Sequence, residues 1–254
     1  MKTRTARVVL AVWEREMYDY LKNLHVYATR LVVEPLLFIF IFGMGLGRRV
    51  VIGDVNYLDF MAPGILFMVA TNNSYQTVSL RLMIAREWDK TLITALTAPV
   101  KPFEIVLGYV LAGVVQALVA CAVFIVLMSY IADISFGCIP LILLFIILTA
   151  AFFSSLAVVT AMWLDNLYQQ VVFTFLVIVP MIFFCGTFIP ITDLPNRVQP
   201  VIDMIPLTVA VQAVRMITLS IENPYLWQNL AYIIVCGVTI FSVGLYLFKR
   251  RVIT

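Results

Sequence analysis

The chain has 254 residues, of which 63% are hydrophobic and 12% charged, with a formal net charge of +3. This composition excludes a water-soluble globular domain and predicts a polytopic, all-α membrane protein. With no basic stripe, and with its aromatics inside apolar runs, the chain also excludes nucleic acid as a partner.

Met1–Leu24 carries Lys2, Arg4, Arg7, Arg15 and Lys22 together with Glu14, Glu16 and Asp19. Val9, Trp13, Met17, Leu21 and Leu24 recur at helical spacing, so residues 1–25 read as an amphipathic helix at a membrane surface, either a plain anchor or a partner contact. No cleavable signal pattern is present. A first span is expected over Val26–Leu46, with Arg30 and Glu34 one turn apart near its start and Pro35 as a kink. A second follows over Phe60–Leu80, with Asn72, Asn73, Ser74 and Gln76 in its middle. Polar residues at that depth either line a path or hold helices together.

The stretch 81–104 is the long hydrophilic break of the chain, with Arg81, Arg86, Glu87, Asp89, Lys90, Lys101 and Glu104. Charges of this kind do not cross hydrocarbon, so the segment stays at one membrane face. Trp88, Leu92 and Leu96 mark one face of a short helix that Pro99 and Pro102 end. A charged, proline-stopped helix between two spans suits the docking of a soluble partner.

Further spans are expected over Ile105–Ala132, Ile134–Leu164, Leu167–Ile191 (interrupted by Pro180) and Tyr225–Phe248. Between the last two, 192–224 holds five charges, the prolines Pro195, Pro200, Pro206 and Pro224, and apolar runs too short to cross. It reads as a re-entrant helical hairpin or as a structured surface loop. Six spans put both termini on one side. The N-terminal segment, the 81–104 break and the tail hold twelve Lys or Arg, against Arg48, Arg49, Arg197 and Arg215 opposite. The positive-inside rule then makes both termini and the 81–104 helix cytoplasmic and the hairpin external.

Several chemistries are missing. There is no GxxxxGK[ST] loop for a nucleotide, His25 is the lone histidine, and the four cysteines form no CxxC pair, so no catalytic residue, metal ligand or bound cofactor is expected. A membrane-embedded lipid-modifying enzyme would need convergent acids, bases or metal ligands at one depth. A passive channel would leave the docking helix without a role.

Three stretches carry a family resemblance: YLDFMAPGILFMVA at 57–70, REWDKTLITALTAPVKPFEIVLG at 86–108, and VPMIFFCGTFIPITDLPNRVQPVIDMIPLTVAVQAVR at 179–215. In their order and spacing they resemble the permease subunits of ABC-2-type exporters, with the likeness running to the branch of nodulation-factor (lipo-oligosaccharide) exporter permeases. The resemblance covers nearly the whole chain as a single transmembrane domain. It implies a separate ABC ATPase subunit holding ATP and Mg, a second copy of this chain or a related one, and outward movement of an amphiphile across a bacterial inner membrane. It places ATPase docking on Arg86, Glu87, Trp88, Asp89, Lys90, Thr91 and Leu92, although REWDKT is less acidic than the run many members carry. A substrate path is expected near Asn72, Asn73, Gln76, Phe183, Phe184 and Phe188, where the aromatics stack on cargo, block a closed pore or simply pack. An external gate is expected around Pro190, Pro195, Pro206 and Arg215.

Overall fold

The computed structural model describes residues 2–38, 40–41, 51–52, 55–87, 100–131, 134, 136–219, 221 and 224–253. Among them are eleven α-helices: α1 Lys2–Lys22, α2 Leu24–Phe38, α3 Tyr57–Thr71, α4 Thr77–Glu87, α5 Pro102–Ile131, α6 Ile139–Trp163, α7 Leu167–Phe173, α8 Val179–Phe184, α9 Gln199–Asp203, α10 Pro206–Thr218 and α11 Leu226–Ile253. The described extended structure is a two-residue ladder, β1 Val51–Ile52 antiparallel to β2 Val55–Asn56, leading into α3.

Four helices are long and apolar enough to cross a bilayer: Pro102–Ile131, Ile139–Trp163, Leu167–Phe184 and Leu226–Arg251. These match the expected third to sixth spans. The first, Val26–Leu46, extends into residues outside the described set, and α2 runs through Pro35 to Phe38.

The expected second span is one continuous helix. α3, a π turn Asn72–Gln76 and α4 follow without a break over 15, 5 and 11 residues. It is less apolar than the other four because Asn72, Asn73 and Gln76 sit at its centre. It is also the most enclosed, with thirteen of fifteen α3 residues buried. A helix surrounded by α5, α6 and α10 does not meet lipid, so its side chains need not be oily. The reverse holds at the periphery: 17% of the apolar window is buried in Leu167–Phe184 and in Leu226–Arg251, against 61% in Ile139–Trp163.

α1 does not stand apart from the bundle. It packs along the start of α5, where a Cβ on Gly108 would fall 2.7 Å from Val12. Val9, Glu16 and Tyr20 are buried while Leu10, Tyr18 and Leu21 face outward. At the head of α5 the Glu104 carboxylate accepts the Lys101 N–H at 3.0 Å, closing the first turn. Asn166 starts α7 in the same way, accepting Gln169 N–H at 2.9 Å. Inside Leu167–Phe184 the helix widens to a π turn over Thr174–Ile178, directly before Pro180, whose ring and missing N–H break the α pattern there.

Candidate functional site: the two ends of the bundle and the polar belt between them

The helices sort their charged contacts into two ends. At one end, Arg81 Nη1 donates to Asp19 Oδ2 at 3.0 Å, joining α4 to α1. Five residues further on, Arg86 Nη1 donates to the carbonyls of Ala161 (2.7 Å) and Leu164 (2.9 Å), and Nη2 to that of Asp165 (2.6 Å). These are the carbonyls that α6 leaves open as it ends. Arg251 closes the same end, donating to the Met162 and Trp163 carbonyls and pairing with the Asp165 carboxylate. That pairing holds the Asp165 carboxyl below its usual range. The N-terminal helix, the entry to the 81–104 break and the basic tail thus share one end, as the charge pattern requires.

Of the expected docking residues, Arg86 is committed to the α6 terminus and Glu87, half-buried, accepts from Arg86 Nη2 at 3.1 Å. Trp88, Asp89, Lys90, Thr91 and Leu92 lie outside the described residues. What is visible is the rigid base from which that segment departs.

The opposite end is tied by Arg215. Its Nε donates to the Phe60 carbonyl at 3.0 Å and its Nη2 to the Gly186 carbonyl at 2.6 Å, while the guanidinium lies 3.8 Å over the Phe60 ring. Gly186 has φ +82°, which a side chain would strain. The Tyr57 hydroxyl donates to the Phe188 carbonyl at 3.2 Å. The expected gate residues therefore form a joint. Pro190 leads into a short 3-10 turn, Ile191–Asp193, and Pro195 opens the turn into α9. Pro206 starts α10, separating it from α9 as expected. Leu207, Ala210, Val211, Ala213 and Val214 of α10 are buried in the bundle, so this stretch is not a free loop. Asp193 sits in the 3-10 turn and accepts from Thr192 Oγ1.

Midway lies a belt of polar side chains. Asn73 and Ser74 turn back on their own helix, donating to the Val69 (2.9 Å) and Ala70 (2.7 Å) carbonyls. The bond that holds helices together is made by Tyr75, which sequence reasoning missed. Its hydroxyl lies 3.1 Å from Thr160 Oγ1 and accepts from Gln170 Nε2 at 2.8 Å, joining the π turn to α6 and α7. Thr174 then donates to the Gln170 carbonyl at 2.8 Å. Gln170 and Thr174 are polar residues one turn apart in an apolar run, which was the available signal. A cleft of about 110 Å³ opens beside this network, lined by Gln76, Ser79, Gln170 and Thr174 with Val171, Phe175 and Val179. Among the expected path residues, Gln76 reaches it. Phe183 and Phe184 face outward, and Phe183 stacks on Phe188 with centroids 5.1 Å apart.

The profile of ABC-2 type transporters matches residues 7–219. The chain belongs to the ABC-2 type transporter family. This permease is also similar over almost its full length to named proteins. Nodulation protein J of Bradyrhizobium diazoefficiens is 28% identical over 96% of the chain and 93% of that relative. Nodulation protein J of Neorhizobium galegae is 26% identical, covering 95% and 93%. The inner membrane transport permease YadH of Escherichia coli is 23% identical, covering 94% of both. As an ABC-2 permease the chain is a transport membrane subunit. The family match covers Asp19, Arg81, Arg86, the polar belt and Arg215, and ends before α11 and Arg251.

Proposed function

We propose that this permease is the transmembrane half of an ATP-driven exporter, working as two copies, or as a heteromeric pair with a related permease, with a separate ATPase subunit that carries ATP and Mg. Its cargo is an amphiphile: a glycolipid, a lipo-oligosaccharide or other polysaccharide, or a hydrophobic drug. The observation that carries this reading is the end-to-end similarity to transport permeases of the family.

The helix Tyr57–Glu87 is the element suited to carry motion between the two ends. It is anchored near Glu87 through Arg81 and Arg86, directly before the segment expected to dock the ATPase, and near Phe60 through Arg215. A push on residues 88–92 would travel along one rod to the joint around Gly186. Six spans put both termini on one side, and the twelve-to-four division of basic residues supports placing that side in the cytoplasm of a bacterial inner membrane. The exposed face of Leu167–Phe184, with Val171, Phe175 and Leu176, is suited to a second copy.

The test is ATP-dependent accumulation of a fluorescent lipo-oligosaccharide in inverted vesicles holding this chain and its ATPase. Glu87→Lys should lower accumulation and uncouple the ATPase while leaving the membrane bundle folded. Normal accumulation by that variant, in an assembled complex, would refute the docking assignment.

A further inference from the structure

A second groove lies at the basic end, away from the polar belt. It has a volume of about 320 Å³ and is lined by Met162, Trp163, Leu247, Arg250 and Arg251. We propose that this groove binds the headgroup of an anionic phospholipid. The inference does not depend on the export reading; it needs only the chain's place in a membrane.

The depth is right. The two apolar helices Ile139–Trp163 and Leu226–Arg251 both end in this groove, so it lies where hydrocarbon gives way to headgroups. Trp163 is 61% exposed, and an exposed indole at the end of a spanning helix belongs in that interface. The chemistry is also right. It rests on the Arg250 and Arg251 guanidinium groups, the latter also paired with the Asp165 carboxylate, with Met162 and Leu247 beside them. Guanidinium groups bind phosphate oxygens by paired, charge-assisted hydrogen bonds. Lys249 adds a third cation to this last turn of α11. Arg251 is held in place by the Asp165 carboxylate and by the Met162 and Trp163 carbonyls, so the groove wall is built before any lipid arrives.

The groove also has a place for the tails. One turn back along α11, Val243 and Tyr246 are exposed, continuing an apolar track from Leu247 toward the membrane interior. An acidic surface of a soluble partner would match the charge but would have no use for that track or for Met162 and Leu247. Basic residues that only set orientation during insertion would need no groove at all.

Native mass spectrometry of the full chain in dodecyl maltoside, mixed with phosphatidylglycerol or phosphatidylcholine, tests the proposal. Phosphatidylglycerol should be retained preferentially, and Arg250→Gln should lower its retention about fivefold, the effect of one interfacial cation. Leu247→Trp, which fills the groove and keeps every charge, should lower it as well. This second variant decides the matter if the first folds poorly. Equal retention of the two lipids, or unchanged retention in both variants, overturns the proposal. So does displacement of the lipid by inorganic phosphate, which would mark a free-anion site, or by the ATPase subunit, which would mark a protein contact.

Discussion

Gly64 and Thr187 touch backbone to backbone. A Cβ built on Gly64 would fall 2.7 Å from Thr187 Cα and 2.8 Å from its Cγ2. Here α3 meets the turn after α8, immediately beside the Gly186–Arg215 bond. The contact lies between backbones and cannot yield by a rotamer change. Gly64→Ala should therefore lower stability by about 1–3 kcal/mol, as overpacking does. Gly237→Ala is the control, since nothing lies within 4 Å of the place its methyl would take. Thermal unfolding in detergent should separate the two; equal midpoints would mean that the joint is loose.

Arg86 supplies a second expectation. Its three carbonyl bonds depend on a planar fork that an ammonium does not reproduce. Arg86→Lys should cost about 1.5–3 kcal/mol, the range for hydrogen bonds to a charged group. The loss should appear in the purified permease without its ATPase. A variant that unfolds normally alone but fails only in the complex would return Arg86 to the docking surface.

Glu16 makes stability depend on pH. Burial pushes its carboxyl above the ordinary 4.5, against the pull of Arg81 and Arg15 and of the Tyr109 hydroxyl. The folded state thus holds this proton more tightly than the unfolded chain does. The contribution of Glu16 is without penalty below pH 4.5, declines as pH rises toward the folded value, and stays constant above it. Glu16→Gln should remove that decline and be relatively more stable at neutral pH. A slope unchanged between wild type and variant, followed by unfolding midpoints across pH, would contradict the assignment.

Cys138 offers a test of orientation with a native thiol. It is exposed beyond the end of α5, whereas Cys121 and Cys185 are buried. It lies beside Gly137, whose added Cβ would meet the Ile217 carbonyl of α10 at 2.8 Å, at the end opposite Arg251. An impermeant maleimide should label Cys138 in intact cells and leave Lys249→Cys untouched until the membrane is opened. The opposite result would invert the topology.

Hydropathy alone located the four spans from Pro102 onward, because each is long enough to cross the hydrocarbon and apolar along its length. Charge alone grouped Lys2–Lys22, Arg81 and Arg251 at one end, since ions stay out of hydrocarbon. The proline positions announced the break between α9 and α10. Other features were decided by packing. Tyr57–Glu87 is polar in the middle because it is wrapped by other helices, and nothing in its own composition says which neighbours wrap it. Arg86 reads from sequence as surface charge, but the end of α6 brings it three carbonyls from residues 75 to 79 positions away. Tyr75, Thr160 and Gln170 are ordinary residues in three separate segments and become one network only when the π turn aims Tyr75 at α6 and α7. Periodicity and charge act locally and are written in the order of residues. Hydrogen bonds between distant helices depend on rotation and register, which the folded bundle alone sets.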